Sequence, residues 1–419
     1  MEKFSQKTSS WLRILKSREK FIKYSLPIIV LVVLIFVGNL LIARNFIGGL
    51  DFYIKWSSAK ALLADKTNPY SSSGFKQLTE QAQSSIYFPL SDENAFAAPV
   101  FSLFLYIPFA LITDFELARA LWMTILCIAF IAVISQSGYD LLDLNTNPWK
   151  KIFLIIFVIG NLFSVISILS GDLHILSLMF FLLAYNQIQK GHFELAGIYC
   201  ALTVINPGLA ILALIVIGIL SVRQGRWGSV VWFIITTGLL VLLGYLIQEN
   251  WVAQYLKSAV EVIRNIRSEY SLSGDNVGQI LKFGLPVFIV IIEWIRTFPK
   301  LHFYKRDQWV FNLTLAMLAI AFSQITPRAL ILVVPACMQI FYEWNSRENP
   351  GAKIIAYSNL GFYVVFSIIL VFLDPLILVS QHQLQETVFF ISGLHLLLNM
   401  YWIRGWISQE EMKTFINPS

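Results

Sequence analysis

Charge is what this chain has least of. Asp, Glu, Lys and Arg make up 13% of its 419 residues, against roughly 25% in soluble domains. With 57% hydrophobic residues and a mean hydropathy of +0.68, that scarcity excludes a soluble domain and indicates a polytopic membrane protein. Cysteine is scarce too. Cys127, Cys200 and Cys337 fall in apolar stretches, without metal-ligand spacing or a position suited to a disulfide, and read as packing residues. No short-period repeat is visible, and no low-complexity tract beyond Ser71-Ser72-Ser73. The net charge of +6 does not argue for nucleic acid. The basic residues lie in connectors between apolar blocks, where anionic lipid headgroups are the natural counter-charge.

What is present is a succession of apolar blocks. Residues 25–43 carry no charge and are long enough to cross a hydrocarbon core of about 30 Å. The block is too long for a signal-peptide core and lacks a small-residue cleavage site, so it is expected to be retained. Lys3, Lys7, Arg13, Lys16, Arg18, Lys20 and Lys23 precede it, which keeps residues 1–24 cytoplasmic. Further spans are expected near 115–136, 151–169, 174–189, 194–206, 207–221, 229–247, 278–297, 308–326, 328–344, 354–373 and 386–403. The expectation is one all-α domain over 1–419, with about twelve transmembrane helices, both termini cytoplasmic, in the plasma (inner) membrane. Asn206-Pro207-Gly208 divides 194–221 into two short helices. Pro99 and Pro108 make 94–113 an interfacial or partly inserted helix.

Two connectors on the outer side are long, residues 45–114 and 248–277. The first holds an amphipathic segment, Phe52–Leu63, and a polar serine-rich run from Asn68 to Asn94. In the second, Lys257, Glu261, Arg264 and Arg267 recur every three to four residues, with Val260, Ile263 and Ile266 on another face. That pattern is a helix lying on the membrane surface. Trp227, Trp251, Trp294, Trp309, Trp344, Trp402 and Trp406 stand near span ends, as an aromatic belt at the lipid boundary would. Large outer loops and short inner ones place the work outside, in a cavity between the two long loops. Asp51-Phe52-Tyr53 emerges there directly after the first span. A carboxylate at that place suits a general base acting on membrane-carried substrates; it also suits a solvated loop aspartate.

Four pieces of the chain, in order, resemble the GT-C superfamily of membrane glycosyltransferases, and most closely glycosyltransferase family 87. DFYIKWSSAKALLADKTNPY is similar to the family's D-x-x-x-Y/W…A…G-x-x-P-Y element. FAAPVFSLFLYIPFALITDFELARALW resembles its Y-P-P…P-L…A…L-W segment, with Ala97-Ala98-Pro99 replacing the aromatic-Pro-Pro core. SGDLHILSLMFFLLAY is similar to G-Q-x-N and an apolar run, with Asp172 and His174 where Gln and Asn are commoner. An interrupted helix with Asn206-Pro207 follows where Lys-Pro is usual. SQITPRALILVVPA resembles a late S-P-H/R…P segment.

The resemblance implies sugar transfer, of mannose above all, from a polyprenyl-phosphate carrier to a lipid or glycan acceptor. Such transfer needs a carboxylate to take the acceptor proton and cations to hold the departing phosphate. It implies no cofactor, because Arg and Lys can hold a lipid phosphate. Asp51 is the base that location and resemblance favour. Arg328, Arg264, Arg267 and Lys282 are the phosphate-binding candidates. Arg suits bidentate phosphate recognition, and a guanidinium at a span end otherwise snorkels to the interface. Tyr53, Asp172, His174, Asp92 and Glu93 are candidates for holding the acceptor or assisting the base. Asp172 and His174 also fit a polar span-end turn, and Asp92 and Glu93 a helix cap. Two other classes remain open: a transporter or lipid flippase, and a non-catalytic subunit on the same frame.

Overall fold

The computed structural model describes residues 29–46, 48–65, 68–70, 96, 98–137, 157, 161–269, 284–297, 304–322, 327–347, 349–376 and 382–416. Among them every regular element is helical. Helix α1 spans Ile29–Asn45, and the following helix α2 (Leu50–Asp65) turns from it by 92°. Gly48 and Gly49 make that corner with φ of +150° and +85°, backbone that L side chains resist. Pro99 precedes a short 3-10 segment, Val100–Leu105, and a one-turn helix, Ile107–Ala110, follows. A proline has no N–H and its ring clashes one turn back, so this apolar block forms no continuous spanning helix.

Helix α3 (Phe115–Ser137) starts at Asp114, whose Oδ1 accepts the Leu117 N–H at 3.2 Å. Helices α4 (Leu162–Ser170) and α5 (His174–Gln189) meet at 118° around Gly171. Helix α6 (Phe193–Leu202) runs through a 3-10 turn, Thr203–Ile205, to an extended Asn206, and α7 (Pro207–Gln224) begins at the proline. The expected division of this block is therefore present, with Pro207 in the first helical turn, where an N–H has no intrahelical acceptor to lose. Helices α8 (Gly228–Ile247), α9 (Trp251–Glu269), α10 (Leu285–Thr297) and α11 (Tyr304–Phe322) follow. The 3-10 segment Pro327–Val333 leads into α12 (Val334–Asn345), then α13 (Pro350–Leu376) and α14 (His382–Ile416).

Helices α3 and α8 are each long and apolar enough to cross a membrane; counting each bent pair, α1–α2 and α4–α5, as one span gives up to four. Val231, Ile234, Leu239, Leu242 and Leu246 of α8 all face away from the bundle. So continuous an apolar surface is stable only against lipid. This is a membrane protein. Helix α11 sits at the centre. The Trp309 indole donates to the Met400 carbonyl at 2.7 Å, Asn312 to Gln339 at 2.9 Å, and Phe311 stacks on Tyr185 at 4.1 Å. The aromatic belt is only partly present. Trp227 and Trp402 are exposed, but Trp251, Trp294, Trp309 and Trp344 are core residues. The indole N–H groups of Trp251, Trp294 and Trp309 find partners inside the protein, which is what lets so large a side chain be buried. Cys200 and Cys337 are buried and all three cysteines are free thiols.

The two ends of the bundle differ chemically. One carries the corner before Asp51 and the starts of α3, α5 and α7. The other carries ion pairs around buried acids: Arg223 with Asp307 at 3.2 Å, and Glu293 with the exposed Arg296 at 3.2 Å and with Arg404 at 3.1 Å, while the Tyr401 hydroxyl donates to Glu293 at 2.9 Å. Described parts of the two long loops touch. Asn68 donates to Gln254 at 3.0 Å, the Ser258 hydroxyl to the Phe96 carbonyl at 3.1 Å, and Phe101 meets Trp251 edge-on. Helix α2 is not the simple amphipathic element that Phe52–Leu63 suggested. Phe52, Tyr53, Trp56, Ser57, Ser58 and Ala59 are all buried, so its first half is enclosed on more than one face.

Candidate active site

The site begins at the glycine corner. The Tyr53 N–H donates to the Gly49 carbonyl at 2.8 Å, so α2 starts there and Asp51 lies in its first turn, half-buried. Next along the chain Phe52 is fully buried in an aromatic box, its ring 5.9–6.0 Å from those of Tyr106, Phe109, Phe115 and Trp122. Tyr53 turns into the core against Trp56 and Phe115. Anchoring the neighbour of a carboxylate this way fixes where the carboxylate stands.

The second acid comes from the α4–α5 bend. Gly171 ends α4 in the left-handed region at φ +76°, and its carbonyl accepts the Trp122 indole N–H at 3.0 Å. The Asp172 carboxylate accepts the His174 N–H and the Ser167 hydroxyl, each at 2.9 Å, and its Oδ1 lies 3.3 Å from His174 Nδ1. Asp172 thus closes the polar turn that starts α5, and its oxygens are engaged in doing so. A side chain that the sequence did not single out lies within electrostatic reach of both acids. Tyr106 is fully buried, its hydroxyl has no hydrogen-bond partner among the described residues, and both Asp51 and Asp172 act on it electrostatically. Burial holds this phenol well above its usual range and the two carboxylates push it the same way, so it stays a neutral donor.

Arg119, also not singled out, lies on the other side of the corner. The residue is 2% exposed, and its guanidinium donates to the Phe46 carbonyl at 2.8 Å and the Leu169 carbonyl at 3.2 Å. A charge four residues into an apolar span was the available signal. Tyr106 left none, since a tyrosine in an apolar block reads as packing.

The cations stand differently. Arg264 and Arg267 lie on α9, and Arg328 lies in the 3-10 segment before α12, but their side chains are outside the described part of the structure. Lys282, Asp92 and Glu93 lie outside the described residues altogether. Asp51, Asp172 and His174 are brought to one end of the bundle. A cavity between α4, α11, α13 and α14, lined by residues such as Asn161, Leu330, Tyr363 and Ser392, contains no residue of either long loop.

No curated protein and no solved structure matches this chain. The family model for glycosyltransferase family 87 matches residues 96–367, well over half of the chain. Asp172, His174, Arg264, Arg267, Lys282 and Arg328 fall inside the match, whereas Asp51, Tyr53, Asp92 and Glu93 precede it. An all-helical membrane bundle with acids gathered at one end, matched over that length, belongs to glycosyltransferase family 87.

Proposed function

We propose that this glycosyltransferase moves a sugar, mannose in the first instance, from a polyprenyl-phosphate carrier to a hydroxyl of a lipid or glycan acceptor, with inversion and with Asp51 as general base. The observation that carries the reading is the placement of Asp51: first turn of a helix, directly after an apolar helix, held by the aromatic box and the glycine corner. In the step, Asp51 takes the acceptor's hydroxyl proton as that oxygen bonds to the anomeric carbon. The bond from that carbon to the phosphate oxygen breaks, and its electron pair leaves with the polyprenyl phosphate. A single displacement of this kind inverts the anomeric centre. Arg328, Arg264, Arg267 and Lys282 are the groups proposed to hold the departing phosphate, Arg328 first, since a guanidinium suits a bidentate grip on it.

The proposed setting is the plasma (inner) membrane. About twelve spans leave both termini cytoplasmic, the acid-bearing end extracytoplasmic, and the two long loops over it. Purified protein incubated with polyprenyl-phosphate sugars and lipid acceptors should yield a glycosylated lipid detectable by mass spectrometry, with mannose the best donor. No product from any sugar in the set would favour a non-catalytic subunit on the same frame.

A further inference from the structure

We infer that Arg119 is a positioning residue that ties together the two chain bends that precede Asp51 and Asp172. The inference rests on the reading of Asp51 as the base and adds how that base is held.

The geometry is specific. Arg119 enters from α3, and one nitrogen of its guanidinium donates to the Phe46 carbonyl, just before the corner that leads to Asp51. Another donates to the Leu169 carbonyl, three residues before Asp172. The corner lies flat against the same group. A Cβ built on Gly48 would stand 2.8 Å from Nη2, and one on Gly49 would stand 2.7 Å from Nε. Two glycines are thus required for the chain to approach the guanidinium this closely, and the first turn of α2 starts from the second of them.

Energetics give the same answer. A buried guanidinium that donates to two backbone carbonyls and leaves Nε without a partner among the described residues is costly, and an apolar side chain would fill the volume without that cost. What an apolar side chain lacks is a planar fork with donors aimed in two directions. Only the fork sets one bend at a fixed distance from the other.

The test uses the full-length protein in lipid nanodiscs, with nitroxides on Leu41→Cys of α1 and Leu63→Cys of α2, both exposed positions. Pulsed electron resonance should give one narrow distance distribution when Arg119 is present. Arg119→Ala and Arg119→Lys should both broaden it, because an ammonium keeps the charge and loses the fork. Gly49→Ala should broaden it as well, pushing on the same contact from the other side, and serves if the arginine variants fold poorly. With polyprenyl-phosphate mannose as donor, kcat should fall by about 100-fold, the scale of a misplacement near 1 Å, while KM stays close to its original value. An unchanged distribution and unchanged kcat in the arginine variants would overturn the clamp and leave Asp51 untouched. Conversely, full activity in Asp51→Asn removes the base reading, and the distance measurement still decides whether Arg119 holds the corner.

Discussion

At the scale of single residues, the two acids at this end each give a testable substitution. Asp51 sits half-buried in a first helical turn, where an amide substitutes without steric change. Asp51→Asn should leave the melting temperature in detergent essentially unchanged and lower turnover by about two orders of magnitude or more, the size of a lost general base. Asp172→Asn should do the reverse in part. Its carboxylate accepts from both His174 N–H and Ser167, and an amide has only one accepting oxygen. One buried donor loses its partner, at a cost of about 1–3 kcal/mol, which a melting curve reads directly. Equal melting curves for the two variants would mean that the Asp172 turn carries no such load. For the phosphate, Arg328→Ala should weaken donor binding more than Arg264→Ala or Arg267→Ala, measured as apparent donor affinity; equal, small losses would move the search to Lys282. The position of Asp51 after the first apolar helix was legible in the sequence, because an uncharged run followed by an acid is a local pattern. The surroundings of Arg119 and Tyr106 were not, because the carbonyls and carboxylates near them come from distant segments.

At the scale of elements, two left-handed glycines separate local strain from crowding. Gly171 and Gly225 both end helices with positive φ, +76° and +63°. An added Cβ at Gly225 meets nothing within 4 Å, whereas at Gly171 it would stand 2.5 Å from Phe52 Cβ. Gly225→Ala should therefore cost only the left-handed penalty of about 1–2 kcal/mol. Gly171→Ala adds overpacking of about 1–3 kcal/mol and pushes Phe52, hence Asp51, out of place. Thermal melts of the two variants, with turnover of each, check the difference; matching melts would mean that the α4–α5 bend yields more readily than its packing implies. The break at Asn206-Pro207 was readable from sequence because proline acts locally. The enclosed half of α2 and the buried tryptophans were not, because alternation of polar and apolar residues cannot distinguish a lipid-facing side chain from one covered by another helix.

At the scale of the whole molecule, the helices' directions set two ends of the bundle apart, and the proposed orientation puts them on opposite sides of the membrane. Helix α3 starts beside Phe52 and ends where Gln136 accepts from Asn186 at the close of α5, and α5 itself starts at the Asp172 turn. Both therefore run away from the acids. Helix α8 returns, and its Gly244 packs on Trp251 at the start of α9, whose residues meet the segments around Asn68 and Phe96. Lys257 on α9 and Lys190 after α5 are both exposed and lie at opposite ends by this tracing. In the proposed orientation, with the basic residues ahead of the first apolar block held in the cytoplasm, the Lys190 end is the cytoplasmic one. A membrane-impermeant maleimide applied to intact cells should therefore label Lys257→Cys and leave Lys190→Cys unlabelled until the cells are opened. Buried Cys200 and Cys337 keep the background low. The opposite pattern would put the acids in the cytoplasm and end the proposal of an extracytoplasmic reaction. Labelling of both from outside would mean that the α5–α6 connection does not return to the inner face, and that fewer than twelve spans cross.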